Sequence, residues 1–437
     1  MERRQTMMLS RLSLLALAFG VASLAPVVVE GYPGYGKKIG ASLGNSCQTC
    51  HVVFPKLKLY GKTVREIGYS VPGTDFPAPT FWGKIYRSLP LGVRGKIDFN
   101  GADQESPVSL PALQLLSAGN MANDKISWWF HKHVVEDNEI VPLNSGMPHE
   151  FWVQFNQSDK LHIRAGMFEL PMWFSWAKTK VSEVGYLYYG SSTNEGNFGL
   201  ISAPQFGIQA NGTFNIASND EDDWGEPEDS NLEGYNYAIS ITNGETSWKR
   251  QINTFYGRIT KKLPGAAVGI FSLTAIQKIA PEADHAHGAE EQAVETESKL
   301  IYRMGLDGEL NMRGDALSAY GSLAYGGDVD RNFVGGFVGV DYLISPKIFI
   351  FSRLDGVLFM GAPPEEEHDM AGMDMDMDMD HEEEAAHLHG DVISDDAAGL
   401  SVGLAYMIVG NIRLGAEYRY GVKGIANTGM IQLQFAF

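Results

Sequence analysis

From Gly92 to the end of the chain, apolar and polar side chains alternate with a period of two. In 92–100, Val93, Ile97 and Phe99 fall on one side, and Arg94, Lys96, Asp98 and Asn100 on the other. Ile126, Trp128, Phe130 and Val134 oppose Ser127, His131 and His133, with Lys132 out of step. Phe151, Val153 and Phe155 oppose Trp152, Gln154 and Asn156, and Leu161, Ile163, Ala165 and Met167 oppose Lys160, His162 and Arg164. The closing segments set Ile412, Leu414, Ala416 and Tyr418 against Arg413, Glu417 and Arg419, and Ile431, Leu433, Phe435 and Phe437 against Gln432 and Gln434. Successive side chains of a strand point to opposite faces, so the pattern predicts a mainly β chain.

Alternation alone also fits a soluble sandwich. Four features select a transmembrane antiparallel β-barrel. Many segments are about ten residues long with aromatics near their ends. The second face carries Arg, Lys, Asp and Glu, which a dry sandwich core would not accept. Short turns alternate with long acidic connections, and the last alternating strand ends on Phe437. The segments number 16, an even count that returns the chain to its starting side. Both ends are then periplasmic, and the connections at 136–149, 169–203, 280–297 and 360–396 lie on the extracellular side. The acidic run from Asp220 to Asp229 falls on the periplasmic side, where turns are normally short. It either docks a periplasmic cytochrome or marks a register one strand out.

Charge and cysteine usage narrow the picture. A formal net charge of −19 argues against nucleic acid as a partner and favours cations or basic proteins. With 2 cysteines three positions apart, a disulfide framework is excluded. Beyond the N-terminus no apolar run is long enough for a helical span. Residues 1–31 read as a secretory signal, with Arg3, Arg4 and Arg11 ahead of the apolar stretch Leu12–Ala25. Residues 32–90 then form a small helical or coil segment, and 91–437 the barrel.

The small segment holds Cys47-Gln-Thr-Cys50-His51, the C-x-x-C-H pattern of covalent c-type heme attachment. Two thiols at this spacing form thioethers to the vinyl groups, and the adjacent histidine becomes an axial iron ligand. A redox dithiol is the alternative; half a zinc site would need a second ligand pair, and no further cysteine exists to supply it. From Val52 to Asn120 there is neither Met nor His, so a sixth ligand must come from elsewhere. A segment of roughly 60 residues is also marginal for an independent core. The expectation is a heme segment plugging the barrel lumen, with His131, His133 or His162 as the distal ligand; polar lining is the plainer role for each. Met167, by its parity, would face lipid.

Two connections carry metal-ligating side chains. One holds Asp284, His285, His287, Glu290 and Glu291; the other holds His368, Asp369, Met370, Met373, His381, His387 and His389 among repeated Met-Asp pairs. Carboxylates and imidazoles suit divalent iron, and thioethers suit Cu(I). A solvated low-complexity loop is the competing reading.

A short heme segment fused to a 16-strand barrel resembles the fused monoheme cytochrome–porin iron oxidases of the bacterial outer membrane. The resemblance rests on Cys47-x-x-Cys50-His51 followed by Pro55-Lys-Leu57, Gly61 and Gly68-Tyr69, and it spans nearly the whole chain after the signal. Lys58 stands where the family pattern has Asn. The resemblance implies one heme c, extracellular Fe(II) as electron donor, and a periplasmic cytochrome or other carrier as acceptor. A metal-ion channel with a heme plug, or an outward electron conduit, are the competing functions.

Overall fold

The structure is a computed structural model that describes residues 51–53, 55–58, 61–62, 65, 91–99, 108–121, 125–136, 138–141, 148–174, 181–190, 204–214, 234–244, 252–279, 297–313, 315–327, 331–361, 395–409 and 412–436. Two short strands, β1 (His51–Val53) and β2 (Lys56–Leu57), form a hairpin. The barrel strands follow: β3 (Leu91–Phe99), β4 (Val108–Met121), β5 (Ile126–Glu136), β7 (Glu150–Ser158), β8 (Leu161–Phe168), β9 (Gln205–Phe214), β10 (Gly234–Thr242) and β11 (Thr254–Leu263). The second half comprises β12 (Ala266–Ile279), β13 (Glu297–Met312), β14 (Leu317–Gly327), β15 (Asn332–Ser345), β16 (Ile348–Met360), β17 (Ala397–Val409), β18 (Ile412–Lys423) and β19 (Thr428–Ala436). A two-residue strand, β6 (Glu139–Ile140), adds to the end of β5.

Each spanning strand pairs antiparallel with its sequence neighbours, and β19 pairs with β3, Ile431 opposite Phe99, to close the ring at 16 strands. Closure leaves no strand edge unpaired, which is what a sheet in lipid requires. The predicted strand number is the observed one. The β9–β10 ladder, with Phe214 opposite Tyr235, is continuous, so the C-terminal end of β9 and the N-terminal end of β10 lie at the same end of the barrel as the short turns. The alternative of a one-strand register error is thereby removed.

The burial pattern is inverted relative to a water-soluble core. In β16, Ile350, Leu354 and Leu358 are exposed on the outside while Arg353 and Asp355 are buried inside. Arg303, Arg353 and Arg413 are among the largest fully buried side chains, whereas Ile270, Leu300 and Val338 stand open on the outer face. An apolar exterior around a charged interior is the arrangement of a barrel immersed in hydrocarbon. Aromatics mark both rims. Phe214 stacks near Tyr235 and Tyr237, at 5.8 and 5.7 Å between ring centroids, at the short-turn end, and Tyr302 lies 5.8 Å from Tyr325 at the other.

The short turns use the residues their geometry requires. Pro264-Gly265 joins β11 to β12, with Leu263 paired to Ala266. Gly265 has φ +65°, and a Cβ there would lie 2.9 Å from the Asn311 carbonyl oxygen. Both facts exclude a larger residue at this turn.

Candidate functional site

The lumen is where the chain departs most from a simple barrel. The connection after β8 does not stay at the rim. Leu170, Met172, Trp173, Phe174 and the 3-10 turn Leu187–Gly190 are buried against inward-facing Tyr256, Phe271, Leu273, Phe333, Phe337 and Phe359. The inner face of β15 reads Phe333, Gly335, Phe337, Gly339, Asp341. The small residues make room: a Cβ on Gly335 would sit 2.4 Å from the Tyr188 Cβ, and one on Gly339 would meet the Tyr320 ring. Tyr186 stacks on Phe337 at 4.1 Å, and the Tyr188 hydroxyl shares a 2.7 Å hydrogen bond with Ser322. Burial raises the pKa of the Tyr186, Tyr188 and Tyr189 phenols, so these rings stay neutral.

Charge fixes the same segment on its other side. Glu183 binds Lys96 at 2.8 Å and also Arg413, and it accepts a 2.6 Å hydrogen bond from Gln434. Ser182 donates to Glu417 at 2.7 Å, and Arg353 donates to the carbonyls of Val184 and Gly185, each at 2.9 Å. Arginines on the wall thus satisfy backbone carbonyls that a loop inside a barrel would otherwise bury without partners.

The hairpin that begins at His51 meets this segment from the short-turn end. Val53 packs with Val181, Phe349, Phe351, Ala405 and Met407, an apolar pad on an otherwise polar wall. Lys56 donates to Ser318 and pairs with Asp341 at 2.7 Å. Lys62 pairs with Glu309 and lies over the Trp173 ring at 4.6 Å from its centroid; burial lowers its pKa, against the pull of Glu309. Arg65 pairs with Glu169 at 2.9 Å. Gly61, Lys62 and Arg65 are helical, and β1 and β2 pair as a hairpin in a segment expected to be helix or coil.

Cys47, Cys50, the signal region and both loop clusters, His285 and His287 with their acids and His368, Asp369, Met370, Met373, His381, His387 and His389, lie outside the described residues. His51 lies within them. Burial pushes its imidazole down to about 4, against backbone hydrogen bonds to Pro55 and Lys56. The neutral ring is the form that ligates a metal. A c-type heme is held through a histidine imidazole; the His51 Nδ1 is buried at the start of the hairpin, and Val53, two residues on, seats it on an apolar pad, so the residues present fit the group.

The three histidines expected in the lumen separate into two places. His131 and His133 lie together near the long-connection end of β5, joined by His149 just before β7. The ring centroids are 4.7 to 5.0 Å apart. His162 sits by the short 159–160 turn, where its Nδ1 is 3.0 Å from the Asn156 side-chain oxygen. Its wall, β8, is far around the ring from the β14–β17 wall that receives the hairpin. Parity alone missed His149, which lies outside any alternating segment; its signal was proximity in sequence to Glu150 and the start of a strand. Met167 corrects an expectation. It is paired with Phe151 and Phe206 on the outward parity, yet it is buried rather than open to lipid.

Fold and lumen together define a membrane-spanning 16-strand barrel whose interior holds two inserted segments. No protein-family model and no curated protein matches the chain. Solved structures with a similar architecture include OmpT of Vibrio cholerae with loop L8 deleted (11% identity, TM-score 0.47, covering 79% of this chain and 98% of that one). Others are an anion-selective porin from Comamonas acidovorans (10% identity, TM-score 0.47, 80% and 99%) and Salmonella typhi OmpF in complex with daunomycin (8% identity, TM-score 0.49, 80% and 97%).

Proposed function

We propose that this chain is an electron-transfer porin of the bacterial outer membrane that oxidises extracellular Fe(II) and delivers electrons to a periplasmic carrier. One heme c, held by thioethers to Cys47 and Cys50 and by the His51 imidazole, supplies the one-electron chemistry. The observation that carries the reading is the hairpin following His51, pinned to the inner wall by the buried Lys56–Asp341 pair. A heme-attachment motif anchored inside a membrane barrel serves little purpose unless electrons pass there.

The remaining residues have definable tasks. Lys56, Lys62 and Arg65 tie the segment to Asp341, Glu309 and Glu169, and so fix its height in the lumen. Val53 seats the hairpin on the apolar pad of Phe349, Phe351 and Met407. Tyr186, Tyr188 and Tyr189 fill the neighbouring lumen and narrow any continuous water path. The site lies toward the short-turn end, which the proposal assigns to the periplasm, within reach of a carrier docking from that side. Acidic side chains at the opposite mouth would draw cations toward it.

The test is anaerobic. Ferric, heme-loaded protein mixed with Fe(II) at constant pH is expected to develop the α-band of a reduced c-type heme. A persistently ferric spectrum overturns the iron-oxidising reading. Solute flux through liposomes at ordinary porin rates would favour the channel reading instead.

A further inference from the structure

We propose that His131, His133 and His149 form a binding site for a divalent first-row transition-metal ion on the lumen wall, separate from the heme-attachment residues. One ring nitrogen from each lies within 4.8 Å of the others. The fold builds the group from β5 and the residue that precedes β7. His131 and His133 share one face of β5 by the period of two, and the ladder pairs His131 with Glu150, which brings the preceding His149 alongside.

The surroundings suit a cation. Glu136 Oε1 lies 3.0 Å from His133 Nδ1, the carboxylate–imidazole pairing that fixes the ring and leaves Nε2 to a metal. Glu150 closes the floor, accepting from Trp129 Nε1 at 3.0 Å and from the Glu169 backbone NH at 2.8 Å. His133 Nε2 now faces the Gln114 amide nitrogen at 3.1 Å, so that amide must yield when an ion enters. Metal–imidazole bonds of about 2.0–2.1 Å require nitrogens roughly 3.5 Å apart. The rings therefore close by about 1 Å, mainly by turning about the soft χ2 torsions that now stack His133 on His149. Three imidazoles without a thiolate select Fe(II), Co(II), Ni(II), Cu(II) or Zn(II) over Mg(II) and Ca(II). The group lies at the long-connection end, the side from which external Fe(II) would arrive. Its use as an iron entry site rests on the iron-oxidising reading; metal binding itself does not.

Co(II) is the probe, because its K-edge is read independently of heme iron. The full, heme-loaded protein in detergent, given one equivalent of Co(II), is expected to show imidazole multiple scattering from two to three rings. His131→Asn and His149→Gln are expected to weaken Co(II) binding about 10-fold or more. His162→Gln, and deletion of 365–389, should leave that site's affinity unchanged. Heme content and heat-modifiable gel migration establish that each variant has folded. A wild-type spectrum with oxygen donors only overturns the site, as does equal Co(II) affinity in folded His131 and His149 variants. Fe(II) reduction of the heme is scored separately. Its absence overturns the iron reading alone, and absence of imidazole-bound Co(II) overturns the site alone.

Discussion

Lys56 and Asp341 meet at 2.7 Å inside the barrel, each side chain less than a tenth exposed, although 285 positions separate them in the chain. Lys56 sits in the hairpin at the end of the C-x-x-C-H motif; Asp341 sits on the inner face of β15. The pair ties the hairpin to the barrel wall.

Removing one partner of such a pair leaves an uncompensated buried charge, which costs about 3–5 kcal/mol. Lys56→Met is therefore expected to free the segment between His51 and the first barrel strand, seen as rapid cleavage there in limited proteolysis. The double variant Lys56→Met/Asp341→Leu should recover much of the protection. Equal protection in the single variant and the wild type would show that the pair does not hold the segment.

Glu183 is the corresponding anchor for the inserted connection, collecting Lys96, Arg413 and Gln434. Glu183→Leu leaves buried Arg413 and partly exposed Lys96 without their acid. The segment should loosen, and single-channel conductance in planar bilayers should rise. Unchanged conductance would mean the aromatic packing alone keeps the lumen closed.

Gly335 tests that packing directly. A methyl group there would collide with Tyr188, so Gly335→Ala is expected to destabilise the barrel by about 1–3 kcal/mol through overpacking. Gly429→Ala, whose Cβ would have the Tyr418 ring at 3.5 Å, should be close to neutral. Urea unfolding in lipid vesicles compares them, and equal midpoints would contradict the packing argument.

Leu354 is half exposed on the outer face beside buried Arg353. Moving a charge to the lipid side costs about 2–4 kcal/mol near the bilayer midplane. Leu354→Arg should accordingly reduce folding into vesicles, while Leu354→Ile should not. Normal folding of the Arg variant would place this strand's outer face in water.

The number of spanning strands, their facing and their return to the starting side were legible in the sequence, because a strand's two faces are set by parity and the two solvents differ in polarity. Arg353 and Leu354 are assigned by nothing more than being neighbours. The C-x-x-C-H pattern that the proposal rests on is read from five consecutive positions, Cys47 to His51. Tertiary structure decided what parity cannot reach. That residues 169–174 and 181–190 turn into the lumen depends on Gly335 in β15 and arginines in β16 and β18, residues distant in sequence that form a cradle only once the ring has closed. That His149 joins His131 and His133, while His162 does not, follows from strand register and from which end of the barrel each strand begins. That Met167 is covered rather than lipid-exposed is likewise a fact of packing around it. Alternation tells each side chain which solvent it faces; only the closed barrel determines which other side chains it finds there.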